Sequence, residues 1–140
     1  MNRRDATLLI ALCFTSGAPA ALAGEAFFKT PSANIHCGYF DSDGAPVIRC
    51  DIRSFAPSTG RRPADCEQEW GDAFEVSANG ARGVIVCHGD TVISPGTKTL
   101  GYGKTFSAGG NSCTSEKSGL ACQNRAGHGF KLSRKRQSVY

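Results

Sequence analysis

The stretch from Asn34 to Arg53, N-I-H-C-G-Y-F-D-S-D-G-A-P-V-I-R-C-D-I-R, constrains the fold more than any other part of the chain. One choice of turn fixes every neighbour in it. Asp43-Gly44 suits a two-residue type I′ turn, in which both central residues take positive φ. A hairpin folded on that dipeptide sets Cys37 opposite Cys50, Ile35 opposite Ile52 and Tyr39 opposite Ile48. Side chains alternate between faces along a strand, so these six share one side of the ribbon. The other side carries His36 opposite Asp51, Gly38 opposite Arg49 and Phe40 opposite Val47, which reads as a mostly wet surface. Cysteine spacing and apolar pattern agree in a single register, and that register predicts a disulfide-stapled hairpin.

The same reasoning applies from Asn111 to Asn124, where a turn around Glu116-Lys117-Ser118-Gly119 brings Cys113 opposite Cys122. Directly opposed strand residues lie roughly 4.5 to 5.5 Å apart at Cα, within the reach of a disulfide. The chain has seven cysteines. Cys13 falls in an N-terminal leader, which leaves Cys66 and Cys87 as the third pair by elimination. Arg3 and Arg4, the apolar segment from Ala6 to Phe14 and Ala21-Leu22-Ala23 before Gly24 follow the pattern of a secretory signal peptide, so cleavage is expected after residue 23. A membrane anchor needs about 20 apolar residues, and Thr15, Ser16, Gly17 and Pro19 interrupt the run first. Six remaining cysteines in a small exported chain imply disulfides made in an oxidising compartment, periplasmic or secreted. No transmembrane segment is expected after the signal is removed.

Residues 24–133 read as one stapled β domain and residues 134–140 as a basic C-terminal tail with a frayed end. Phe27 to Thr30 suggests a short strand, Ser54 to Ala64 an exposed loop, and Cys66 to Trp70 a single helical turn. Asn79-Gly80 predicts a second hairpin with Phe74 facing Ile85 and Val76 facing Gly83. Short strands are expected at Thr91–Ile93, Thr97–Tyr102, Lys104–Phe106 and the end of Gly127–Ser133. An echo joins the stapled hairpins: Phe28 precedes Asn34 and Cys37, and Phe106 precedes Asn111 and Cys113. No apolar period of 3.6 persists after the leader, so the expected class is all-β, a small sandwich or barrel built of hairpins.

Catalytic and metal signatures are weak. A net charge of +4 is mild and implies no nucleic-acid partner. His88-Gly89-Asp90 places an imidazole two residues from a carboxylate, but the pair is expected to satisfy a turn rather than to orient a base. His36 with Asp51 is expected to be a surface pair, and His128 to bond inside its glycine-flanked turn. Ser115 and Ser133 are nucleophile candidates only as any serine would be. No Cys-x-x-Cys zinc pattern and no phosphate-cradling glycine motif is present, so no metal or cofactor is expected. The partner-binding candidates are Lys131, Arg134, Lys135 and Arg136, with Trp70, which is expected first of all to anchor the core. These features suggest a binding or accessory module of the cell envelope, its partner an envelope glycan, an anionic lipid or an exported protein. The rival readings are a secreted hydrolase using His88 and Asp90, or an inhibitor of an exported enzyme.

Several motifs together resemble a family of small exported bacterial domains with no assigned function. They are Pro31-Ser32-Ala33-Asn34-Ile35-His36-Cys37, Arg49-Cys50-Asp51-Ile52, Cys87-His88-Gly89-Asp90-Thr91, Leu100-Gly101-Tyr102-Gly103, Gly119-Leu120-Ala121-Cys122-Gln123-Asn124 and Gly127-His128-Gly129-Phe130-Lys131-Leu132-Ser133-Arg134. Ala33 stands where that pattern expects glycine. The resemblance implies a secreted, disulfide-containing β domain and brings no substrate, cofactor or catalytic residue with it.

Overall fold

A computed structural model describes residues 24–140, so the leader expected over residues 1–23 lies outside the described residues. Those described form two sheets and no helix. The strands of the first sheet are β1 (Glu25–Lys29), β2 (Ile35–Ser42), β3 (Ala45–Ile52), β4 (Ala73–Ser77), β5 (Val84–Ile85) and β6 (Lys98–Thr99), in the spatial order β5-β4-β3-β2-β1-β6. The second sheet holds β7 (Thr105–Ala108), β8 (Asn111–Glu116), β9 (Gly119–Asn124), β10 (Gly129–Leu132) and β11 (Gln137–Val139), in the order β11-β10-β9-β8-β7. Only β1 with β6 runs parallel. The two sheets pack face to face as a sandwich over one apolar core.

The first hairpin has the expected register, Cys37 with Cys50, Ile35 with Ile52 and Tyr39 with Ile48. Its turn carries φ of 57° at Asp43 and 72° at Gly44, as a type I′ turn requires. All three expected disulfides are present: Cys37–Cys50, Cys66–Cys87 and Cys113–Cys122. The echo between the hairpins becomes a core motif. In the first sheet Phe28, Cys37, Cys50 and Phe74 pair in a row across four strands. In the second, Phe106, Cys113, Cys122 and Phe130 do the same. The rows stack on each other: Phe28 lies 4.8 Å from Phe106 between ring centroids, Phe74 6.1 Å from Phe130, and Cys50 Sγ 3.8 Å from Cys122 Sγ. The Sγ atoms of Cys37, Cys50 and Cys122 lie within 4.8 Å of one another. Each is spent in a disulfide, so none remains as a thiolate to hold a metal.

The opposite face of the first hairpin is not wet. His36, Arg49 and Asp51 are all buried, and the segment from Cys87 to Thr97 lies over Arg49 and Asp51 as a strap. Thr91 and Val92 therefore form no strand: the Thr91 hydroxyl donates to Asp51 Oδ2 at 2.8 Å and the Val92 amide to the same oxygen at 3.0 Å. Burying Arg49 and Asp51 is tolerable only because they satisfy each other. In the second hairpin Phe74 meets Ile85 as expected. Gly83 has left the ladder, its amide donating instead to the carbonyl of Tyr140, just past the last strand of the other sheet. Cys66–Trp70 forms no helical turn; Glu69 makes an isolated bridge with His88. Trp70 is half-buried, outside the core cluster, and its Nε1 has no partner among the described residues.

The basic tail is not a free end. Gln137–Val139 pairs with β10 as an edge strand, Gln137 is buried, and its amide donates to Ser58 Oγ at 2.7 Å. Arg134, Lys135 and Arg136 consequently sit in and beside a tight turn.

Candidate binding cleft

Asp51, His88 and Asp90, three of the four residues in the histidine pairs read from the sequence, belong to one charge network at the root of the strap. Arg49 is its centre. Its Nε and Nη2 donate to the two carboxylate oxygens of Asp51 at 3.0 and 3.3 Å, and its Nη1 and Nη2 donate to Asp90 Oδ1 and the Asp90 carbonyl at 2.8 and 3.0 Å. The neighbouring Arg49 guanidinium holds the Asp90 carboxyl below its usual range. That carboxylate is 82% exposed, so solvent screening leaves the pair a minor contribution to stability. His88 does not orient Asp90's carboxylate. Its Nε2 meets Asp72 Oδ1 at 2.8 Å and its Nδ1 the Asp90 carbonyl. Both ring nitrogens face acceptors, which favours the doubly protonated ring. Burial lowers the His88 pKa, yet the hydrogen bonds to Asp72 and the Asp90 carbonyl and the Asp72 charge outweigh it and raise it above 6.5.

His36 is the opposite case. It is 4% exposed, it faces Asp51 across the strand pair, and neither of its ring nitrogens has a partner among the described residues. Burial is the largest influence on it and pulls its pKa below 6.5; the nearby charges of Lys29 and Arg53 add to that, against the Ala33 carbonyl and Asp51. The two histidines therefore tilt the pH profile in opposite directions. As pH falls through 6.5 the unfolded state protonates at His36 before the folded state does, so this residue costs stability on the acid side. His88 contributes stability below 6.5 that is lost as pH rises through its elevated folded value. Urea midpoints measured at pH 5.5 and 7.5 are expected to show this: His36→Asn makes the protein relatively more stable at the lower pH, and His88→Asn relatively less. Equal pH differences in wild type and both variants would refute the assignment.

Neither of the serines considered from the sequence reaches this network. Ser115 is fully buried on the core side of β8, and Ser133 Oγ is taken by the Arg136 backbone. The ring of His128 closes no turn; its backbone amide donates to Asn124 Oδ1.

The surface opens instead where four tight turns meet. Thr30–Ala33 is closed by Ala33 N donating to Thr30 O at 2.9 Å, with Ala33 at φ 55° in the left-handed region where glycine is the usual residue. Gly101–Lys104 is closed by Lys104 N donating to Gly101 O at 3.0 Å and tied to β8 by Gly103 N donating to Ser115 O at 2.7 Å. Gly103, at φ 75°, holds the third position that a type II turn reserves for glycine. Glu116–Gly119 is the β8–β9 turn. Ser133–Arg136 joins β10 to β11: Ser133 N donates to Arg136 O at 2.8 Å, Gln137 Nε2 to Ser133 O at 2.8 Å, and Ala56 N to Arg134 O at 2.7 Å. Between these turns lies a cleft of about 450 Å³, lined among others by Ser32, Tyr102, Lys117, Ser118, Arg134 and Lys135. Three cations face one carboxylate, Glu116. On the far side of the Ser133–Arg136 turn a second cleft of about 460 Å³ is lined by Arg82, Lys135, Arg136, Ser58, Thr59 and Ser138, with no carboxylate among its lining residues.

Of the residues proposed from sequence, Arg134 and Lys135 line the first cleft and Lys135 and Arg136 the second. Lys131 projects from the exposed face of β10, opposite Ala121 and Ser138, and lines neither. Trp70 is likewise no part of them. Sequence reasoning missed Lys117, Tyr102 and Arg82. An aromatic residue between two glycines, in Gly101-Tyr102-Gly103, was the available signal for one of them, since such a tripeptide turns and leaves its side chain outside.

Residues 6–140 match the family described as Family of unknown function (DUF6636). No curated protein and no solved structure matches the chain.

Proposed function

The chain belongs to that family of unknown function, and on the geometry of its surface we propose that it is a periplasmic or secreted binding module that captures an anionic component of the cell envelope. Three disulfides point to an oxidising, extracytoplasmic environment. Among the described residues no helix is long and apolar enough to cross a membrane. The observation that carries the reading is the convergence of Lys117, Arg134 and Lys135 on one concave site built from backbone-locked turns. Turns already closed by their own hydrogen bonds lose little freedom on binding, so charge there yields more affinity than on a frayed end.

Deleting residues 134–140 would not test this, because it removes strand β11 from the sheet. Charge removal in place does. At about 50 mM salt the wild-type protein is expected to be retained on a dextran-sulfate resin and to elute as salt screens the contacts. The R134A/K135A variant is expected to elute at clearly lower salt with an unchanged melting temperature. Identical elution of the two proteins would dismiss the reading.

A further inference from the structure

Tyr102 sits at the second position of the Gly101–Lys104 turn and is 44% exposed. It is absent from the core cluster, so the fold gains little from a large aromatic ring there. A rigid turn that holds a half-exposed ring on the wall of a concave site makes a stacking platform with little entropy to lose. The same cleft is lined by the hydroxyls of Ser32 and Ser118 and the cations of Lys117 and Arg134, beside Ile35 and the single carboxylate of Glu116. A phospholipid headgroup satisfies the cations and hydroxyls of such a cleft but presents no ring face to stack on the aromatic. A sugar ring presents a C–H face to an aromatic and hydroxyls to its surroundings, which matches both features. Lys135 lines the first cleft and also the second, where Arg82 and Arg136 wait with Ser58 and Thr59. Arg82 is held in place by donating to the carbonyl of Val139 at 3.3 Å. A cationic track therefore runs across the Ser133–Arg136 turn from one cleft to the other.

We infer that the ligand is an acidic saccharide chain, with one ring stacked on Tyr102 and a later anionic residue held by Arg82 and Arg136 beyond Lys135. This rests on the anion-binding reading above and narrows it to one chemical class and a minimum length. A chain that engages both clefts binds more tightly than a single residue through effective concentration, without new contacts at either site.

The test is isothermal titration of the full mature protein with galacturonate, with its hexamer and with phosphatidylglycerol vesicles. The hexamer is expected to bind at least about ten-fold more tightly than the monomer. Tyr102→Ala is expected to weaken the hexamer by about ten-fold, the upper end of an aromatic contact, while Tyr102→Phe keeps the platform and the affinity. Arg82→Ala is expected to weaken the hexamer and leave the monomer unchanged. The inference is overturned if Tyr102→Ala binds as wild type, if hexamer and monomer bind alike, or if vesicles bind and the hexamer does not. In each of those cases retention on dextran sulfate, weakened in R134A/K135A, would leave the broader reading standing. Absence of that retention would remove both.

Discussion

Replacing Asp51 with alanine is expected to cost about 3 to 5 kcal/mol of folding stability, the range for breaking a buried ion pair from one side. The Arg49 guanidinium would stay buried with its bidentate partner gone, and the Thr91 hydroxyl and Val92 amide would lose their acceptor. Most of the cost is the buried guanidinium left with only the solvent-exposed Asp90 carboxylate, rather than the net worth of the pair. Asp51→Asn should cost nearly as much despite its equal size, since an amide neither neutralises the arginine nor accepts from it in the same way. Asp90→Ala should cost far less, because the Asp90 carboxylate is largely in water. Urea denaturation of the three variants checks the order. A loss under about 1 kcal/mol for Asp51→Ala would mean that the guanidinium escapes to solvent and that the strap is not anchored at this residue.

Removing the Cys113–Cys122 bridge as a double alanine variant is expected to cost about 2 to 5 kcal/mol, at least as much as removing Cys66–Cys87. Loop-closure entropy alone argues the reverse, since Cys113–Cys122 spans 9 residues and Cys66–Cys87 spans 21. Chain entropy separates loops of these sizes by less than about 1 kcal/mol. Packing decides the matter. Cys113 and Cys122 are fully buried between the stacked phenylalanine rows, whereas Cys87 is exposed, so only the former variant also leaves a cavity in the core. Both cysteines must be replaced together. A lone Cys122 thiol would lie 3.8 Å from Cys50 Sγ, close enough to exchange with the Cys37–Cys50 bridge. Melting temperatures and near-ultraviolet circular dichroism of the two double variants decide the order; a smaller loss for the core bridge would count against the stacked-row account.

The hairpins and their bridges were legible because they are local and periodic. Asp43-Gly44 admits one register, and that register settles which cysteines oppose each other before any tertiary contact forms. Phe74 meets Ile85 as the Asn79-Gly80 turn predicted, although that two-residue turn itself does not form: neither residue takes positive φ, and residues 78–83 connect the strands. The strap was illegible for the same reason. Thr91-Val92-Ile93 has the composition of a strand, and only Asp51, forty residues earlier, turns its donors aside. Arg49 and Asp51 likewise read as surface residues until a distant segment covers them.

The binding cleft shows the division most plainly. Four turns separated by as many as a hundred residues meet at one site, and no local pattern announces their meeting. The residues alone determined that this chain is a stapled all-β domain, since strand alternation, turn dipeptides and cysteine spacing act between near neighbours. The pairing of the two sheets decided which polar faces are buried and which cations converge, because those outcomes depend on packing between segments that share no periodicity with each other.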